Sequence, residues 1–224
     1  MLKLYGQYRS RAFRVAWFCK EAGIEFEHVD VTINREEASC KESWYQDLNP
    51  NARVPTIDDN GVVLWESAAI NLYLAEKYKS ELWPKDLAAR GRLLQWAFFV
   101  TSDIEPDMVT IRMHRQVLPE QRRDANLAKA AEERLPTKLA VLERHLSRNK
   151  FFGGDRWDLG DFMVASICYT LLVMRYDLSQ YPNFDRWLRL SLDRPKAREA
   201  RKLRGDTESL AVRDECPLST HSCH

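Results

Sequence analysis

Residues 49–78 read NPNARVPTIDDNGVVLWESAAINLYLAEKY, and this stretch decides the fold. Asn49-Pro50-Asn51 marks a turn. Two short runs of strand-forming residues follow, Val54 to Ile57 and Val62 to Leu64. Between them the polar tip Asp58-Asp59-Asn60-Gly61 suits a tight hairpin. From about Glu66 to Lys77 the pattern changes period, with Ala69, Leu72 and Tyr73 on one face of a helix.

Upstream, Leu2 to Tyr5 reads as a strand and Gly6 to Arg9 as a polar turn. Ser10 is placed to cap a helix, because its hydroxyl can accept from a free N–H of the next turn. Ala12, Val15, Ala16 and Cys19 carry that helix, and Gly23 ends it. Phe26 to Val31 alternates like a half-buried strand. A second helix is expected over about Arg35 to Tyr45. Residues 1–78 thus have the order βαβαββα. The first βαβ unit should be right-handed and parallel, and the hairpin adds antiparallel strands, giving a mixed four-stranded sheet.

Strand signals stop after Tyr78. Residues 79–86 form a polar linker with Pro84, and residues 87–205 read as an all-helical bundle. Its first long helix starts near Leu87, and Pro106 should kink or interrupt it. A helix over Ala125–Leu146 contains Pro136, and Asp158–Arg175 is the most apolar helix. Shorter helices are expected near Phe184–Leu192 and Pro195–Leu203. Residues 206–224 show no periodicity and are expected to be disordered.

The chain has 224 residues, with 34 basic and 33 acidic side chains and a formal net charge of +1. That balance argues against a general nucleic-acid binder. No apolar run approaches the ~18 residues of a membrane span, and Met1 to Tyr5 lacks a secretory apolar core. Five cysteines without a framework, and no CxxC pair, fit a reduced compartment. The cytoplasm is the expected location. Cys216, His221, Cys223 and His224 match no compact metal spacing, and no metal is expected.

Four segments resemble the glutathione S-transferase superfamily: YGQYRSRAFRVAW (5–17), NPNARVPTI (49–57), WESAAINLYLAEKY (65–78) and FFGGDRWDLGDFMVA (151–165). They stand in that family's order and cover the chain to about residue 203. The resemblance implies a thioredoxin-like glutathione-binding half followed by a helical half that takes an electrophile. It also implies a homodimer, with the first half of one subunit against the kinked helix of the other, and a detoxifying conjugation.

In that family a Ser, Cys or Tyr activates the glutathione sulfur, which makes Ser10 the first candidate and Tyr5 the second. A helix N-terminus and a hydroxyl donor would lower a thiol pKa; without the resemblance Ser10 is a cap and Tyr5 a packed ring. Arg9 and Arg11 flank the serine and add to the positive field. The Val54-Pro55 step matches the family's cis-proline, which frees the Val54 backbone to pair with a bound tripeptide; otherwise it is a trans-proline at a strand edge. Arg53 and Asn51 are placed for the glycyl carboxylate. Ser67 offers its hydroxyl and a helix N-terminus to the γ-glutamyl carboxylate, and Glu66 faces the ammonium. Asp158 and Asp161 read as a helix cap with an acidic residue three places on; the family more usually has Ser or Thr where Asp158 stands and Ala where Gly160 stands, and the Asp158–Asp161 pair is assigned to folding.

For the electrophile the candidates are Phe99, Asp103, Met108, Ile111 and Arg112, with Trp96, Val100 and His114 on the same stretch. Each could equally be core or dimer surface. The main reading is a transferase. The alternatives are a non-catalytic binding or regulatory protein, a glutathione-dependent isomerase or peroxidase, or a disulfide oxidoreductase, which would want a cysteine at position 10.

Overall fold

The computed structural model describes residues 1–33 and 38–206. Four strands, β1 Leu2–Tyr5, β2 Phe26–Val29, β3 Thr56–Asp59 and β4 Val62–Trp65, form one sheet in the order β2-β1-β3-β4. β1 runs parallel to β2, with Leu4 opposite His28, and antiparallel to β3, with Leu4 opposite Ile57. The expected mixed sheet is present, with shifted strand ends. β3 starts at Thr56 rather than Val54, because Pro55 has no N–H to give the ladder. β2 stops at Val29, two residues early.

Helix α1, Ala12–Ala22, crosses between β1 and β2 and ends at Gly23, whose left-handed φ of 67° suits glycine. The helix expected over 35–45 is a correction. Among the described residues it is a 3-10 turn, Ser39–Lys41, and a four-residue helix α2, Ser43–Gln46, separated by an extended Glu42. The Ser39 hydroxyl accepts from Thr32 N–H at 2.8 Å, and the Thr32 hydroxyl from Ser39 N–H at 3.0 Å. Such local bonds compete with a helix for the same backbone groups. Residues 35–37 of that expectation lie outside the described residues. So does the tail from 207, with Cys216, His221, Cys223 and His224.

α3 spans Ser67–Lys77, and the helical half begins with α4, Leu87–Phe98, capped by Asp86 accepting from Ala89 N–H. α4 does not break at Pro106. It passes through a π-helical stretch, Phe99–Ile104, into α5, Glu105–Arg112, and a second π stretch, Met113–Val117. A proline lacks the N–H for the carbonyl one turn back, and a widened turn just before it absorbs the misfit. The Thr101 and Ser102 hydroxyls donate to the Ala97 and Phe98 carbonyls at 2.6 Å each.

α6 is Ala125–Leu146, uninterrupted at Pro136, α7 is Leu159–Val173, α8 is Pro182–Leu192 and α9 is Pro195–Leu203. Asp158 and Asp161 make a reciprocal capping box at the start of α7. Asp161 also accepts from Phe152 N–H, Gly153 N–H and Trp187 Nε1. Gly153 is required there, since a Cβ would stand 2.3 Å from the Asp158 carboxylate.

α1 joins the two halves into one core. Trp17 and Phe18 meet Phe162 of α7 at ring distances of 5.0 and 5.3 Å, and Glu21 pairs with Arg194 at 2.8 Å. The floor between the halves is therefore a packed wall. Among the described residues no helix is long and apolar enough to cross a membrane, and no three His, Cys, Asp or Glu gather to hold a metal ion.

Candidate functional site

A cleft opens where the loop before α1, the loop before β3 and the N-terminus of α3 face α5 and α7. It holds two adjoining cavities of about 450 and 330 Å³, which share Arg11, Arg14, Arg53, Val54, Glu105 and Val109 as walls. Ser10 and Phe13 line the first, and Asn51, Pro55, Glu66 and Ser67 the second.

Ser10 sits one residue further from α1 than a formal cap. The cap position is Arg11, in helical conformation and without a side-chain cap bond. The Ser10 hydroxyl accepts from Ala12 N–H at 3.1 Å and donates to the Gln7 carbonyl at 2.6 Å. To donate to a sulfur in the cleft, it must turn from Gln7.

The Val54–Pro55 peptide is cis. Two polar side chains brace this loop from behind: Tyr45 OH and Asn49 Nδ2 donate to the Arg53 carbonyl at 2.7 and 2.8 Å. Both also reach Thr56 Oγ1, at 2.8 and 3.0 Å. Tyr45 and Asn49 were not read from the sequence as site residues, though an Asn-Pro turn is where such a brace begins. Asn51 hydrogen-bonds back to Asn49 Oδ1.

Glu66, just before α3, has φ 71° and ψ 111°. A non-glycine residue there is strained, and such residues gather at ligand sites. The turn presents the buried Ser67 hydroxyl and the start of α3 to the second cavity.

Beneath both cavities lies a charge cluster. Glu105 of α5 accepts from Arg11 Nε at 2.6 Å and from Arg14 Nη1 and Nη2 at 3.0 and 2.9 Å. Burial alone would raise the Glu105 pKa, but Arg14 and then Arg11 hold it below its ordinary value. Glu105 was not anticipated from the sequence.

Comparison with known proteins fits this arrangement. The family model for the glutathione S-transferase N-terminal domain matches residues 1–76, and that for the C-terminal domain residues 120–190. Glutathione S-transferase 3 of Zea mays is 35% identical over 71% of this chain and 73% of its own length. The chain belongs to the glutathione S-transferase family. Glutathione S-transferase GstB of Escherichia coli K12 is 27% identical over 89% of this chain and 97% of its own. The crystal structure of a theta class glutathione S-transferase from Xanthomonas axonopodis pv. citri, with glutathione bound, has a TM-score of 0.82. It is 27% identical, over 89% of this chain and 96% of that one.

Within this family frame, several sequence candidates stand away from the cleft. Tyr5 is buried, its ring 6.4 Å from Trp44 and 6.2 Å from Tyr45, and it lines neither cavity. Burial raises its pKa and keeps its hydroxyl protonated, so its distance from both cavities is what sets it apart from Ser10. Phe99 packs on Trp96 at 6.1 Å, and Met108 and Ile111 are in the core. Asp103 is exposed, beside Ser102. Trp96 and Val100 are also core, and His114 Nδ1 accepts from Asp124 N–H. Of the five electrophile candidates, Arg112 lines the first of these two cavities and the other four line neither.

The π stretch before α5 sets which of its residues face the cleft. An extra residue in a turn rotates everything beyond it by about 100° relative to a regular helix. The face that meets the cleft is therefore Glu105, Val109, Arg112 and Met113. From α7, Ser166, Tyr169 and Val173 complete the wall.

Proposed function

We propose that this chain binds glutathione across the second cavity, holds its sulfur at Ser10 as a thiolate, and conjugates it to an electrophile in the first. The observation that carries the reading is one cleft lined by Ser10, the cis Val54–Pro55 step, Arg53 and Ser67. Ser10 needs only to donate to the developing thiolate; the helix N-terminus and Arg11 add positive field. Arg53 and Asn51 serve the glycyl carboxylate, Ser67 and the α3 N-terminus the γ-glutamyl carboxylate, and Glu66 the ammonium. The Val54 backbone pairs with the cysteinyl unit. In the reaction the sulfur forms a bond to the electrophilic carbon and the leaving group departs with its electron pair. The thiol proton goes to solvent.

The setting is the cytoplasm, and the reaction class is detoxifying conjugation. Among the described residues Cys19, Cys40 and Cys168 are free and buried, which supports a reduced compartment. The working form is a homodimer, supported by exposed apolar side chains on β4 (Val62, Trp65) and on α4 (Leu94, Phe98).

Calorimetric titration with glutathione tests the binding half of this reading. Saturable binding is expected, weakened about tenfold or more in Ser67→Ala. No heat at millimolar glutathione, with the protein folded, would overturn it.

A further inference from the structure

The transferase reading leaves one part of the cleft without a task. The first cavity is lined by two unlike kinds of side chain. Phe13, Val109, Met113 and Val173 are apolar, whereas Arg9, Arg112 and Arg204 are cationic. Glu105 is the one acidic side chain among the described lining residues, and Arg11 and Arg14 already hold it. Arg204 is paired with Asp206 at 2.7 Å and stands over the Phe13 and Tyr169 rings at 5.0 and 5.4 Å. Arg9 donates its Nε to the Arg204 carbonyl. Among the described residues neither Arg9 nor Arg112 takes part in an ion pair.

Arg112 is the informative residue. It is half-buried, lines the first cavity and does not line the second, where Glu66 and Ser67 stand. The glutathione carboxylates therefore have other partners. A guanidinium partly withdrawn from water, beside a second arginine, is costly unless an anion compensates it. Burial first, and Arg204 next, lower its pKa; the Asp206 carboxylate, already engaged by Arg204 and the Tyr169 hydroxyl, offsets only part of this.

On the transferase reading of the cleft, we infer that the second substrate is an amphipathic anion, an apolar ring or chain carrying a carboxylate, sulfonate or phosphate. Its apolar body lies on Phe13, Val109, Met113 and Val173, and its charge meets Arg112, with Arg9 beside it. Arg112 is the specificity-determining residue, because an anion on its fork keeps two charge-assisted hydrogen bonds that a neutral ring cannot make.

The test is calorimetric binding of two unreactive probes, dinitrobenzoate and dinitrobenzene, to wild type, Arg112→Gln and Arg112→Lys. Wild type should bind the carboxylated ring more tightly than the neutral one. In Arg112→Gln the ratio of the two affinities should fall about tenfold, and Arg112→Lys should restore part of it. An equal loss for both probes would make Arg112 structural and overturn the inference. So would a ratio that does not change, or no preference in wild type. Glutathione titration of the same samples separates the two claims. Its failure would remove the transferase reading, while the probe ratio would still decide whether the cavity selects an anion. As a kinetic readout, chlorodinitrobenzoate and chlorodinitrobenzene each lose chloride as the sulfur bonds to the ring carbon. Their kcat/KM ratio should follow the binding ratio.

Discussion

Glu105 takes three N–H bonds from two arginines of the other half of the chain, with 8% of its own side chain exposed and 9% of Arg14's. Removing one member of a buried pair strands the other charge. Glu105→Ala should therefore cost about 3–5 kcal/mol of unfolding free energy, read by denaturant titration. The pH dependence has a definite sign. The folded-state pKa of Glu105 is depressed below 4.5, so its stabilisation is complete above 4.5 and is lost as pH falls through the lower folded value. The gap between wild type and Glu105→Ala should narrow on acidification below 4.5; a gap that stays constant there would contradict the pairing. None of this was legible in the sequence, because Arg11 and Glu105 are 94 residues apart. Ser10, Arg53 and Ser67 were legible because each belongs to a local motif. Tyr45 and Asn49 act from behind the site through side-chain bonds that no periodicity marks.

The start of α7 is held by Asp161, whose two oxygens accept from Phe152, Gly153 and Asp158 N–H and from Trp187 Nε1. Burial, with Asp158 adding to it, lifts its pKa to about 6, against the pull of those donors. An asparagine has one acceptor oxygen where four donors converge. Asp161→Asn should cost about 2–4 kcal/mol, seen as a melting midpoint roughly 5–10 °C lower. An unchanged midpoint would mean the donors find other partners. The same scale shows what sequence patterns carry. Strand alternation, the Asp58–Gly61 tip and the Asp158–Asp161 pair are written in neighbouring residues, and the elements they mark differ from the sequence expectation only at their ends. The helix expected over 35–45 failed where Thr32 and Ser39 exchange hydroxyl bonds. Of the residues expected at the electrophile site, Arg112 lines the cleft, whereas Met108 and Ile111 of the same helix lie in the core, a difference of helix face that the irregular π stretch before Pro106 hides from the sequence.

The whole molecule is a cleft held between two halves that share α1 as a common wall. The site therefore depends on both halves. Its proposed pairing in solution rests on apolar side chains at two separate places, Phe98 being 67% exposed on α4 and Trp65 41% exposed at the end of β4. A charge at Phe98 would have to be desolvated in such an interface. Phe98→Glu should convert a dimeric species to a monomer in analytical ultracentrifugation, whereas a wild-type monomer would contradict the homodimer. On the proposed function, the molecule brings the glutathione sulfur to Ser10 and lowers its pKa there. The direct measurement is ultraviolet absorbance of the thiolate against pH, for saturating complexes of wild type and Ser10→Ala. The wild-type thiol pKa should lie about 1–2 units below the free value of about 8.5 and return most of the way in the variant. Identical titrations in the two proteins would contradict it and move thiol activation to another group.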